Sequence, residues 1–405
     1  MTTGLPFVPT GRQASIVLVH RGEVLGVLPP VSLELPWWPE ADDLVTAVRN
    51  RDGLEITVLR LLHTVSDRIS GGEVTYLAET ERPPQVPLAS WPGDPLADQP
   101  LRQTWAHPGG PAELLAWADD RLTGVGLDRT GRAQQMRSWN LSALWRIPTR
   151  GGRIWLKAVP DFFAHEGAVI DWIGVPVAPQ LIDFESGRAL LVDIEGPTNH
   201  EVRDPEALSP MVELLTGLQG RALDRLPELI ALGVPDRRLP TVVDRVTAVL
   251  EQWGSTIEPA ERRSLEAVVA GLPALVGAIE DCGVPDTLVH GDFHSGNVAG
   301  RPGDYVILDW GDSFVGHPLL DELAFVERLP PATQIAARGW FVDAWRRAVP
   351  GSQPARAIEL LEPLVSLETA AMYARFCAAI EPDERIYHAS DVVRMLRRAA
   401  QQHAS

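Results

Sequence analysis

Lysine is almost missing from this chain. Of 36 basic residues only Lys157 is a lysine. Arginine replaces lysine without cost on a solvated face, but not where a compact point charge on a flexible stem is needed. The position of the single lysine is therefore informative. Cysteine is scarce as well. Cys282 and Cys377 lie far apart in apolar helical surroundings, which excludes a disulfide framework and a zinc cluster and fits a reducing compartment. Positive charge is in deficit: 36 Lys+Arg against 54 Asp+Glu give a net charge of −18. That balance excludes the basic footprint of sequence-independent nucleic-acid binding and argues against an anionic membrane surface. No apolar run approaches the ~18 residues of a membrane helix. The early run Ser15–Val19 is too short for a signal peptide. The expectation is a cytoplasmic protein with neither nucleic-acid nor membrane partners; its oligomeric state is not legible.

What is present is ordinary globular material. The 405 residues are 45% hydrophobic and 22% charged, enough at about 100–200 residues per domain for two or three domains. Residues 14–80 read as short strands and one helix, with Arg21-Gly22-Glu23 as a hairpin turn. A proline-rich stretch, 83–112, reads as punctuation. Residues 133–196 are again strand-rich. From 204 onward the pattern is long amphipathic helix, interrupted at 286–310 by two β-like runs.

That interruption carries the chemistry. It reads Leu288-Val289-His290-Gly291-Asp292-Phe293-His294-Ser295-Gly296-Asn297, then Tyr305-Val306-Ile307-Leu308-Asp309-Trp310-Gly311-Asp312. One apolar strand delivers His290 and Asp292 into a loop. Asn297 follows five residues after Asp292, and a second strand, after the Pro302-Gly303 turn, brings Asp309 to the same end. Carboxylate and amide oxygens without a thiolate suit a hard cation such as Mg²⁺. Asp-x₄-Asn followed by a strand-borne Asp is the pattern of kinase-type active sites: one Asp takes the acceptor hydroxyl's proton, and the Asn and second Asp hold Mg²⁺ on the phosphates. Such a site requires an upstream strand Lys and a helical Glu. The only lysine, Lys157, sits in Arg153-Ile154-Trp155-Leu156-Lys157, with Glu166 nine residues on. Ala189–Val192 and Asp193-Ile194-Glu195-Gly196 read as a hinge that meets a nucleotide base, which makes Val192 and Ile194 candidate base contacts.

On H-G-D-x-H-x-x-N, D-W-x-D and the later Gly316-His317-Pro318-x-x-Asp321-Glu322-Leu323-Ala324, the stretch from about 133 to 400 resembles the aminoglycoside phosphotransferase family of small-molecule kinases. The resemblance implies an α+β, bilobal, protein-kinase-like fold with a β-rich N-lobe and a helical C-lobe. It implies Asp292 as catalytic base, His290 and Asp321 as supports of its loop, Asn297 and Asp309 as Mg²⁺ ligands, Lys157 as phosphate ligand and Glu166 as its partner. The loop over the phosphates, Ser138-Trp139-Asn140-Leu141-Ser142, lacks G-x-G-x-x-G. Ser142 or backbone amides then substitute, and the nucleotide is ATP, with GTP open. Only eleven residues separate Asp309 from Asp321, too few for the peptide platform of a protein kinase. The acceptor is therefore expected to be a small-molecule hydroxyl: an aminoglycoside or other antibiotic, an amino sugar or a sugar. Residues 281–330 carry nine acids against Arg301 and Arg328. With Glu381, Asp383 and Glu384 they offer places for a cationic acceptor's amino groups. Two rival readings are a pseudokinase that binds nucleotide without transfer, and a metal-dependent phosphohydrolase using His290, Asp292, His294 and Asp309 as ligands.

The N-terminal region resembles a Nudix hydrolase in outline, with Pro39-Glu40-Ala41 and a helix ending Arg49-Asn50-Arg51-Asp52-Gly53-Leu54. That family's metal site needs R-E-x-x-E-E on the helix, and Val48-Arg49-Asn50-Arg51-Asp52 stands there instead. The resemblance implies a small α/β domain without pyrophosphohydrolase chemistry, acting as a cap. The expected domains are 1–126 (cap), 127–196 (N-lobe) and 197–405 (C-lobe with catalytic loop and acceptor site).

Overall fold

The structure is a computed structural model that describes residues 11–65 and 70–403. The chain forms two compact units. The first runs to Pro160 and takes in Arg188–Leu191 and Cys377–Tyr387; the second is Asp161–Gly187, Val192–Phe376 and the chain from His388 on.

The first unit opens on β1 (Arg12–His20) and β2 (Glu23–Leu33), joined at Arg21 and Gly22, both at positive φ. Helix α1 (Asp42–Asp52) buries Leu44, Val45 and Val48 and ends on Gly53 in the left-handed conformation, as a glycine after a helix C-terminus permits. Strands β3 (Ile56–Thr64) and β4 (Gly72–Thr80) complete a sheet ordered β2-β1-β4-β3, with β1 and β4 parallel. After α2 (Gly110–Gly124), strands β5 (Gln134–Trp139), β6 (Ser142–Thr149) and β7 (Gly152–Ala158) form a second, antiparallel sheet. The two sheets are joined through side chains. The buried Gln135 carboxamide accepts from Val58 N (2.8 Å) and donates to Val58 O (2.7 Å), where β3 carries a register shift. Gln135 thus supplies a strand-like hydrogen-bond pair that the irregular β3 would otherwise leave unsatisfied.

A piece from near the end of the chain completes this unit. Tyr387 belongs to the core that holds Trp38, Leu44 and Val48, and its ring meets those of Trp38 and Trp139 edge-on at 5.8 and 5.6 Å. Asn140, fully buried, donates to the carbonyl of Glu384 at 3.2 Å.

In the second unit α3 (Glu166–Ile173) and β8 (Leu181–Glu185) precede β9 (Arg188–Val192), most of which returns to the first unit. Then follow α4 (Pro205–Ala222), α5 (Leu226–Ala231), α6 (Val242–Trp253) and α7 (Pro259–Glu280), the last opened by a capping box of Glu258 and Glu261. Short strands β10 (Thr287–Val289), β11 (Val298–Ala299), β12 (Val306–Ile307) and β13 (Phe314–Gly316) carry the catalytic motif, and α8 (Leu319–Glu327), α9 (Pro331–Ala348), α10 (Pro354–Ala379) and α11 (Ala389–His403) close the unit. The two β-like runs of the motif do not pair with each other. β10 pairs with β13, and β11 with β12. Among the described residues no helix is long and apolar enough to cross a membrane.

Candidate active site

β10 is three buried residues, Thr287, Leu288 and Val289, with Val289 opposite Phe314 of β13. Its end fixes His290, which is 0% exposed. The Nδ1 of His290 accepts from Asp292 N (3.2 Å), so its Nε2 carries the proton and donates to Leu308 O at 2.8 Å. Burial holds this imidazole below its ordinary pKa. Both ring nitrogens are engaged, so His290 ties the loop that starts at Asp292 to the segment leading to Asp309. It has no lone pair left for a metal or a proton, as the phosphohydrolase reading would need.

Asp321, in the first turn of α8, is also 0% exposed. One carboxylate oxygen accepts from Gly291 N (2.9 Å); the other accepts from His290 N (2.9 Å) and Gln219 Nε2 (3.0 Å). Burial lifts its pKa to about 7 against these donors. Gly291, at φ +87°, lies against the carbonyl of Asp312, where any Cβ would overlap it.

The loop so anchored presents Asp292. The side chain of Asn297 donates to the Asp292 carbonyl (2.9 Å) and to its Oδ2 (3.2 Å). His294 Nε2 stands 3.5 Å from the same Oδ2, and Arg328 donates to Oδ1 at 2.7 Å. Burial pushes the Asp292 carboxyl up, but the hydrogen bond from His294 and the charge of Arg328 outweigh it and hold the pKa at about 2. Asp292 is a fixed anion. Leu308 N donates to Asn297 O at 2.8 Å, and the next residue, Asp309, takes the left-handed conformation (φ 61°, ψ 63°). A non-glycine residue in that region costs on the order of 1–3 kcal/mol, as functional positions often do. Asp312 is lifted to about 7 by burial and then by the charges of Asp292 and Asp309, against Arg375 and Arg237.

The donor set fits Mg²⁺. Asn297 spends its amide nitrogen on Asp292, which leaves its side-chain carbonyl oxygen as the group a cation would take, with the Asp309 carboxylate as the second. Among the described residues no group of three or more His, Cys, Asp or Glu is arranged to hold a metal. Two protein oxygens suit an ion that keeps waters and takes substrate phosphates as its other ligands.

The other expected residues are carried by other elements. Lys157 lies on β7 opposite Leu144, and Ser142 opens β6, both in the first unit. The Ser142 hydroxyl accepts from Trp139 Nε1 at 3.0 Å, while Trp105 Nε1 donates to Trp139 O at 3.0 Å. With Asn140 on Glu384, the turn from Ser138 to Ser142 is pinned by side chains. Glu166 is the first residue of α3 in the second unit and is 3% exposed. Val192, Asp193 and Ile194 line a cavity of about 610 Å³ walled by residues 175–180, α4 and residues 303–306; none of Asp292, Asn297 and Asp309 lines it.

The acidic residues read as receivers of amino groups are largely committed elsewhere. Glu381, 2% exposed, lies between Arg60 (3.4 Å) and Arg102 (3.0 Å), and Glu384 is 1% exposed, both in the first unit. In the second unit Glu322, fully buried, pairs with Arg338 at 3.0 Å. Arg328 and Gln219 are site residues that motif reading missed. Arg328 left a trace, as one of only two basic residues in the acidic stretch 281–330; Gln219 left none.

The model of the phosphotransferase enzyme family (APH) matches residues 142–358. The chain belongs to that family. No curated protein matches it. Among solved structures, a GDP complex of an aminoglycoside 2′-phosphotransferase variant is similar at TM-score 0.51 and 14% identity, covering 72% of this chain and 98% of that one. The macrolide 2′-phosphotransferase of Brachybacterium faecium gives 0.49 and 19%, covering 69% and 98%. A choline/ethanolamine kinase family protein of Mesorhizobium loti gives 0.48 and 15%, covering 71% and 99%. The fold of this family member is the α+β, protein-kinase-like one, preceded by the β1–β4 sheet, and its class of chemistry is phosphotransfer.

Proposed function

We propose that the chain moves the γ-phosphoryl group of a nucleoside triphosphate, ATP first and GTP as the alternative, to a hydroxyl of a small molecule such as an aminoglycoside or other antibiotic, an amino sugar or a sugar. The observation that carries this reading is the hydrogen-bonded pair Asp292–Asn297 on one loop, anchored through His290 and Asp321. Asp292, held ionised, accepts and orients the acceptor hydroxyl. His290 is a positioning residue. Asn297 and Asp309 would hold Mg²⁺, which supplies charge neutralisation on the phosphates when bound. By the order of the family motif, Lys157 is the phosphate ligand and Glu166 its partner, with Ser142, Val192 and Ile194 toward the nucleotide. The short Asp309–Asp321 segment, filled by β13 and the start of α8, supports a small acceptor over a peptide. Phosphoryl transfer through a loose transition state asks mainly for positioning and electrostatics, and a rigid loop around a fixed anion provides them.

The test is Asp292→Asn, with nucleotide consumption followed across a panel of hydroxyl acceptors. Turnover should fall by roughly 10²–10⁴, the range for losing a general base, while nucleotide binding persists. Unchanged turnover sinks the assignment. Mg²⁺-dependent nucleotide binding without turnover on any acceptor makes the protein a pseudokinase instead.

A further inference from the structure

We propose that Arg237 and Arg375 form a binding site for an oxyanion, a carboxylate or phosphate group, beside the catalytic loop of the second unit. Neither arginine makes an ion pair or a side-chain hydrogen bond among the described residues, and the Nε of Arg375 is buried without a partner. Each is instead parked on aromatic faces. The Arg237 guanidinium carbon stands 5.1 Å from the Phe314 ring; that of Arg375 stands 5.7 Å from both Phe162 and Phe376. Such stacking gives back about 0.5–2 kcal/mol of a half-buried cation's lost hydration and leaves the N–H fork free. That fork matches the oxygens of a carboxylate or phosphate.

The surroundings tie the pair to the catalytic loop. Arg237 N donates to Val315 O at 2.9 Å, on the strand that pairs with β10. Phe162, Phe163 and Phe376 form one aromatic cluster (4.7, 5.4 and 5.5 Å), and Phe163 packs so closely on Gly311, two residues past Asp309, that a Cβ there would lie 3.2 Å from its ring. The charge of Arg237 is felt at Arg375. Arg245 donates to Arg237 O (3.3 Å) and pairs with Glu368, which is two turns before Arg375 on the same face of α10. Burial and the neighbouring Arg237 pull the Arg375 pKa down to about 10, with Asp312 opposing. Arg245 and Glu368 cancel each other. Asp312 is then the one carboxylate shared by both arginines, and it faces Asp292 and Asp309 as well. Two like charges held together in partial burial are a standing cost that a bound anion removes.

The anion has two possible sources: an acidic substituent on the acceptor, or a free anion such as inorganic phosphate. The inference concerns binding and does not depend on transfer, so its failure and that of the kinase reading are separable. The experiment titrates inorganic phosphate into the full chain at fixed ionic strength, reading heat of binding and the shift of Tm against chloride. Saturable binding is expected. Arg237→Gln and Arg375→Gln should each weaken it about tenfold or more, as loss of a charge-assisted hydrogen bond implies. Lys157→Gln should leave it intact, which places the anion away from the nucleotide's phosphate ligand. Far-UV circular dichroism and a cooperative thermal transition show that each variant is folded; if Arg375→Gln does not fold, Arg375→Lys and Arg237→Gln carry the test. A KM for hydroxy acids or sugar acids that rises about tenfold in the arginine variants, with kcat kept, assigns the anion to the acceptor. Phosphate binding without preference for such acceptors assigns it to a free anion. Unchanged phosphate affinity in both arginine variants, or no saturable binding together with no preference for acidic acceptors, overturns the site.

Discussion

Arg328 and Asn297 hold opposite oxygens of the Asp292 carboxylate: the arginine takes Oδ1 at 2.7 Å, the asparagine Oδ2 at 3.2 Å. The carboxylate is therefore oriented from two sides by residues 36 and 5 positions away. Both partners of the ion pair are partly exposed, Arg328 at 48% and Asp292 at 36%, so Arg328→Ala should change unfolding stability by no more than ~1 kcal/mol. Its effect belongs in the pH profile. Arg328 helps hold the Asp292 pKa at about 2; without it that pKa rises toward the ordinary value, and the acid limb of kcat/KM moves to higher pH. Profiles of wild type and variant from about pH 2 to 6, a window that spans the held and the ordinary value, check this. An acid limb that stays in place removes Arg328 from the site.

Gly291 permits the loop to pass beneath Asp312. Gly291→Ala places a methyl group against the Asp312 carbonyl at φ +87°, where an L-residue costs roughly 1–2 kcal/mol before any overlap. The loop carrying Asp292 must shift, and a displacement near 1 Å costs about 10² in rate. The expected variant is folded by circular dichroism, less stable in urea, and slower by at least that factor. Wild-type turnover would show that the loop tolerates the shift.

Glu384 gives the first unit a pH-dependent stability. Burial, then the charge of Glu381, raises its pKa from 4.5 to about 8, with Arg60 opposing. Between those values the folded state holds a proton that the unfolded state has lost. Wild type therefore loses stability as pH rises from about 4.5 to about 8. Glu384→Gln does not titrate. Its stability relative to wild type should climb through that window and level off above it, by up to a few kcal/mol at ~1.4 kcal/mol per unit. Urea unfolding at pH 5, 7 and 9 measures the difference; a difference independent of pH contradicts it.

Asp292 and Asn297 are legible as a pair because one short loop holds both, and the structure joins them by hydrogen bonds. Lys157 and Glu166 are expected from their order along the chain, the first on β7 and the second opening α3. The helical character of the chain from 204 onward is legible from its periodicity, and α4 to α11 fill that stretch apart from the short strands β10 to β13. What escaped was everything set by packing across the chain. Gln219 reaches Asp321 from 102 residues away. β10 finds its partner in β13 and not in β12, because the loop from His290 to Asn297 separates it from the β11–β12 hairpin. Glu381 and Glu384 read as exposed acids because nothing local reveals that Arg60 and Arg102 would enclose the first and that the core would bury the second.

Tyr387 stands in the core of the first unit among Trp38, Leu44 and Val48. A chain leaving the ribosome at about 5–20 residues per second usually folds its N-terminal domain first. Here that order is incomplete. The first unit lacks its aromatic plug, and the partner of Asn140, until residues 384 to 387 have been made. Its sheets wait, incomplete, while the helices of the second unit are synthesised. The core of the first unit is then completed only after helices α4 to α9 of the second have been made.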